Sequence, residues 1–118
     1  MIRQNDVDIF NLLWKHESSK IKAMRDNMKQ SILHISAEHG TDDITRLILE
    51  DSVAELNEGD AIGWTPLICA SNFGRKQSVH ILIEYGADVF KRNNYGKNAF
   101  DYAKEKRNDE VMILLLDR

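Results

Sequence analysis

The sequence predicts an all-α fold, a stack of helix–turn–helix units joined by β-turn or hairpin loops. Three observations carry this. The stretch Gly63–Gly74 reads as one short, fully punctuated helix. It recurs at a spacing of 34 residues towards the N-terminus and 33 towards the C-terminus. Each copy is followed by a second apolar pattern at helical spacing, and a fixed period of this length is the signature of a repeat architecture.

The central copy is the clearest. A turn over Asp60–Gly63 leads into Thr65 and the only proline, Pro66. Thr65 suits the N-cap, where its side-chain oxygen takes a free N–H of the first turn. Pro66 suits the first helical position, where a missing N–H costs nothing. Gly74 tolerates the left-handed backbone that ends helices. A helix of about two turns is marginal alone and needs neighbours. In the first copy Ser31 stands for Thr65, Leu33 for Leu67, Ser36 for Ala70 and Gly40 for Gly74. In the third, Asn98-Ala99 stands for Thr-Pro and Ala103 for Ala70. The second helices show Ile44, Leu47 and Ile48, then Val79, Leu82 and Ile83, then Val111, Leu114 and Leu115. Spacing of i, i+3, i+4 puts each set on one face.

The period and the Thr-Pro-Leu-x-x-Ala motif resemble the ankyrin repeat, a β-turn plus two antiparallel helices. Unit two matches from Asp60 to Gly86-Ala87-Asp88. Unit one departs at Lys29, which replaces the turn glycine, and at Ser31-Ile32, although Leu33-His34 is kept. Unit three keeps Gly96 but carries Arg107 in place of the helix-ending glycine. Asp8–Leu13 resembles the second helix of a degenerate fourth unit, with Glu17–Lys29 as a polar link in which Ile21 and Met24 form a short extra turn. The chain is therefore read as one domain over 1–118: a cap unit at 1–25, repeats at 26–59 and 60–92, and a C-terminal repeat at 93–118.

The expected core is Ile9, Leu12, Leu13, Leu33, Ala37, Ile44, Leu47, Ile48, Leu67, Ala70, Val79, Leu82, Ile83, Ala99, Phe100, Ala103, Val111, Leu114 and Leu115. Terminal repeats need polar outer faces. Gln4, Asn5, Asp6, Asp8, Asn11 and Lys15 suit the first. At the other end, Met112–Leu116 is apolar almost all round. Such a helix buries both sides, meets a partner, or belongs to a longer protein; the last is the expectation taken.

Composition bounds the rest. The net charge of −3 excludes a generally basic, nucleic-acid-coating protein. Residues 1–59 carry 7 Lys and Arg against 11 Asp and Glu, and residues 60–118 carry 9 against 8. One cysteine makes no internal disulfide, which suits a reducing cytoplasm or nucleus. Neither a signal peptide nor a membrane span is read. No catalytic set or cofactor motif is read, and no metal site, because His16, His39 and His80 lack ligand neighbours at suitable spacing. Cys69 reads as an inert buried thiol.

Proteins similar to this grip partner proteins on a concave surface made of turn tips and first-helix ends. Carried over position by position, the resemblance implies Met28, Gln30, His39, Ile62, Trp64, Asn72, Phe73, Arg92, Asn94, Tyr95, Lys97 and Lys106 as protein-binding residues. Trp64 and Phe73 have a second reading each, as packing between neighbouring turns or units. The resemblance gives His34 a structural role in the turn network. The basic cluster Lys91, Arg92, Lys97, Lys104, Lys106 and Arg107 reads as a solvated face or a seat for an acidic protein segment. An acidic cluster spans Asp42, Asp43, Glu50, Asp51, Glu55 and Glu58. The expected function is a non-catalytic protein–protein interaction module, and the expected state a monomer. The alternatives are a regulatory or targeting domain of a larger protein, and an assembly factor or chaperone for one client.

Overall fold

The computed structural model describes residues 4–116, with the side chains of residues 4–7 left out of the description. Seven helices follow one another, with no strand among the described residues: α1 Gln4–Ala23, α2 Ile32–His39, α3 Asp42–Asp51, α4 Pro66–Asn72, α5 Lys76–Glu84, α6 Ala99–Glu105 and α7 Asp109–Leu116. They pack as two rows. The inner row is α2–α4–α6, and the outer row is α1–α3–α5–α7. Within a unit, α2 pairs with α3, α4 with α5, and α6 with α7.

The caps explain why the inner helices start where they do. The Thr65 side chain accepts from Ile68 N–H at 3.2 Å, ahead of Pro66. Asn98 replaces this pair with a capping box: its Oδ1 accepts from Asp101 N–H at 3.0 Å, and Asp101 Oδ2 accepts from Asn98 N–H at 3.0 Å. Ser31 does the same with His34 as its reciprocal partner. Each satisfies two otherwise orphaned N–H groups.

Two residues hold left-handed backbone that glycine holds elsewhere in the repeat. Lys29 has φ 60°, against 83° for Gly63 and 75° for Gly96. Arg107 has φ 54°, against 70° for Gly40 and 68° for Gly74. The turn geometry is therefore kept where the residue best suited to it is lost, at a cost of about 1–2 kcal/mol each.

The core contains Leu33, Ala37, Ile44, Ile48, Leu67, Ala70, Val79, Leu82, Ala99, Ala103, Val111 and Leu115, as expected. Leu47, Ile83, Phe100 and Leu114 are half-buried against it. Ile68, Cys69, Ile81 and Val89 join it as well, because the middle unit is covered on both sides, and Leu49 of α3 is buried too.

The N-terminal expectations need correction. Ile9, Leu12 and Leu13 are exposed, Leu12 to 60%. The buried face of α1 is instead Trp14, with Phe10 stacked on it at 5.8 Å. α1 turns this stacked i, i+4 aromatic pair, rather than the aliphatic stripe, towards the stack. The supposed polar link is largely helical. α1 runs to Ala23 and is interrupted at Glu17, where φ is −133° and ψ 24°. Of the proposed polar cap, Asp8, Asn11 and Lys15 are exposed. The side chains of Gln4, Asn5 and Asp6 lie outside the described residues. At the other end, Ile113 and Leu116 are exposed, so α7 does not bury both sides within the described residues.

Candidate protein-binding surface

Three turns form one edge of the stack, and each is built on a single side chain. Asp26 Oδ1 accepts from the N–H groups of Met28 and Gln30 at 2.9 and 2.8 Å. Asp60 Oδ1 accepts from Ile62 and Trp64 at 3.0 and 2.9 Å. Asn93 Oδ1 accepts from Tyr95 and Lys97 at 2.9 and 3.1 Å. Each turn is also closed by paired backbone bonds, such as Asp60 N–H to Trp64 O at 2.9 Å and Gly63 N–H to Asp60 O at 3.0 Å. Neighbouring turns are then tied together: Ala61 N–H donates to Met28 O at 2.8 Å, and Asn94 N–H to Ile62 O at 3.0 Å. The tips therefore sit at fixed spacing along one edge. The Asp26/Asp60/Asn93 series stands in the sequence at the repeat spacing, a signal wider than the single turn read at Asp60–Gly63.

The repeat sorts the expected residues into columns. Met28, Ile62 and Tyr95 occupy one turn position, and Gln30, Trp64 and Lys97 another. His39, Phe73 and Lys106 occupy the end of the inner helix. Tyr95 is 68% exposed and Phe73 49%, and Met28 is exposed too. His39, Arg92, Asn94 and Lys106 are also exposed, whereas Gln30, Ile62, Asn72 and Lys97 are half-buried.

Trp64 divides its surface between two roles. Its ring lies 4.7 Å from that of Tyr102 on α6, tilted by 45°. Tyr102 is itself buried, and its hydroxyl accepts from Asn93 Nδ2 at 2.6 Å. Trp64 therefore joins unit two to unit three and leaves part of its ring at the surface. Lys97 lies 5.5 Å above the same Tyr102 ring and pairs with Glu105. Its pKa is raised, mainly by that hydrogen bond. Arg92 donates to Gly96 O at 2.8 Å.

His34 sits beneath the turns and is fully buried. Its Nδ1 accepts from Ser31 N–H at 3.1 Å, and its Nε2–H donates to Trp64 O at 2.8 Å. It thereby links the first inner helix to the second turn. Burial lowers its pKa, opposed by the bond to Trp64, so the neutral ring is the folded form. Cys69 is buried, and burial pushes its thiol up to about 12, which leaves it without thiolate character at neutral pH.

The acidic cluster is less bare than its sequence suggests. Glu58 holds Arg25 in a two-pronged pair at 2.7 and 2.8 Å, and Lys22 lies 3.4 Å from Asp51 and 3.8 Å from Glu55. No group of three or more His, Cys, Asp or Glu among the described residues is arranged to hold a metal, and no described helix is long and apolar enough to cross a membrane.

A family profile described as ankyrin repeats (3 copies) matches residues 1–93 and 52–118. The chain belongs to the ankyrin-repeat family. It is 33% identical over 73 residues to protein phosphatase 1 regulatory subunit 12A of Mus musculus, covering 62% of this chain and 7% of that protein. It is 32% identical over 73 residues to 26S proteasome non-ATPase regulatory subunit 10 of Dictyostelium discoideum, covering 61% of this chain and 32% of that protein. It is 36% identical over 93 residues to transient receptor potential cation channel subfamily A member 1 of Homo sapiens, covering 78% of this chain and 8% of that protein. The chain thus spans a minor part of these relatives. Ankyrin repeats are generally protein–protein interaction modules without catalysis of their own.

Proposed function

We propose that this ankyrin-repeat chain is a non-catalytic module that captures a partner protein along the edge formed by the turn tips and the ends of α2, α4 and α6. One observation carries the reading: Met28 and Tyr95 stand exposed on turns that are bonded into one array, and Phe73 stands exposed at the C-terminal end of the inner helix that follows the middle turn. Large apolar side chains exposed on a backbone fixed by hydrogen bonds suit contact with another protein, because little backbone freedom remains to be lost. Phe73 and Tyr95 are the anchors. Trp64 holds the array together through Tyr102 and offers its remaining face. Arg92 and Lys106 favour an acidic segment at the unit-three end, and Lys97 contributes less because Glu105 already pairs with it. The lone buried thiol suits the cytosol or nucleus.

A regulatory part of a larger protein is the second reading. Two relatives are named as regulatory subunits, and the chain spans 7% of one of them. Affinity capture followed by mass spectrometry tests the surface in either setting. A Phe73→Ala/Tyr95→Ala chain is expected to lose the specific partner. A folded double variant that keeps the full partner set would refute the assignment.

A further inference from the structure

We infer that two copies of this chain pair through their N-terminal ends, each inserting the exposed stripe of α1 into an open groove of the other. The groove lies between α1 and α2. It has two adjoining lobes of about 650 and 480 Å³, and Phe10, Ile32 and Ile35 line both.

The repeat shows what kind of place this is. Ile32 corresponds to Pro66 and Ala99, and Ile35 to Cys69 and Tyr102. Those four are buried in the inner row, where α4 packs on α2 and α6 packs on α4. Among the described residues α2 has no inner helix before it, and Ile32 and Ile35 stay half-buried. The groove is therefore the next seat in the inner row, and its natural occupant is an amphipathic helix.

The same end of the molecule carries such a helix face. Ile9, Leu12 and Leu13 stand at i, i+3, i+4 on α1 and are exposed, while Trp14 is buried in the core and Phe10, on the adjoining face, packs against it and lines the groove. Leu13 and Met24 border one lobe of the groove. A convex apolar stripe and a concave seat, apolar along Phe10, Ile32 and Ile35 and polar at its rim where His39, Arg75, Arg25 and Asp26 stand, thus lie side by side. A two-fold axis brings each against its counterpart at once, the self-complementary arrangement of an isologous dimer. A foreign helix would fill the seat and leave the α1 stripe in water. Stacking the α7 end of another copy here would bring two helix rows against an end whose outer row α1 already fills. The pairing departs from the monomer expected of the sequence.

Sedimentation equilibrium of the 118-residue chain over a wide concentration range tests the pairing. The expected result is a reversible dimer. Leu12→Glu and Met24→Glu, both at exposed positions, should each weaken it at least about tenfold, because a charge would enter the buried seam. Circular dichroism and the urea midpoint of the diluted variants should match the parent, and Ile113→Glu should leave the dimer intact. A parent chain that stays monomeric overturns the proposal. So does a dimer that survives Leu12→Glu, one lost through Ile113→Glu, or an open-ended series of larger species. Loss with Leu12→Glu but not with Met24→Glu overturns the groove as the seat.

Discussion

The central unit and the N-terminal end are built from similar residues and reach opposite outcomes. In the central unit Leu67, Ile68, Cys69 and Ala70 are all buried, because units lie on both sides. At the N-terminal end Ile9, Leu12 and Leu13 are exposed although they stand at the same helical spacing as a core stripe. The turns differ in the same way. Gly63 lies so close to the next turn that a Cβ there would stand 2.7 Å from Asn94 Oδ1 and 3.0 Å from its backbone nitrogen. Lys29 occupies the equivalent position with a full side chain, and the residue equivalent to Asn94 in the turn ahead of it is Ala61. Coverage by neighbours, rather than composition, decides which apolar residues become core and which turn positions must be glycine.

The largest effects should separate the two regions by burial. Leu67→Ala should lower stability by about 3 kcal/mol, the usual cost of a cavity at a closed site. Leu12→Ala, measured in urea at low protein concentration, should change it by less than about 0.5 kcal/mol. Similar losses at both positions would break the contrast.

The turns give an intermediate effect of opposite sign. Gly63→Ala should cost about 2 kcal/mol, from left-handed strain together with displacement of the Asn94 turn. Lys29→Gly and Arg107→Gly should each raise stability, by about 0.5–1 kcal/mol. Relief of the left-handed backbone outweighs the extra freedom of the unfolded chain. Thermal or urea unfolding of the three variants checks the signs.

The pH response is the mildest test. His34 has a lowered folded pKa, so its contribution is complete above the unfolded value of about 6.5. Below that value the unfolded chain binds the proton more readily, and stability falls as pH drops. The urea midpoint should therefore decline from pH 7 to pH 5, and His34→Gln should flatten that decline. An unchanged slope in the variant would assign the response to other groups.

These contrasts also show what was legible in the sequence. The central unit was, because its signals are local: a cap, a proline, a glycine and a helical stripe within a dozen or so residues. The face that α1 buries was not. Ile9, Phe10, Leu12, Leu13 and Trp14 spread around the helix, and contact with α3 selects among them. Ile68 and Ile81 escaped because a single-face pattern misses helices covered on both sides. For the binding edge, the turn positions could be assigned by repeat spacing. The packing of Trp64 on Tyr102 could not, since it joins residues of two different units.

Hydrogen exchange of the chain alone and with its captured partner tests the proposed binding edge most directly. The account predicts slowed exchange at residues 27–30, 61–64 and 94–97 and at the C-terminal ends of α2, α4 and α6, with α5 and α7 unchanged. Protection concentrated on the outer helices α3, α5 and α7, with the turn tips unaffected, would contradict it.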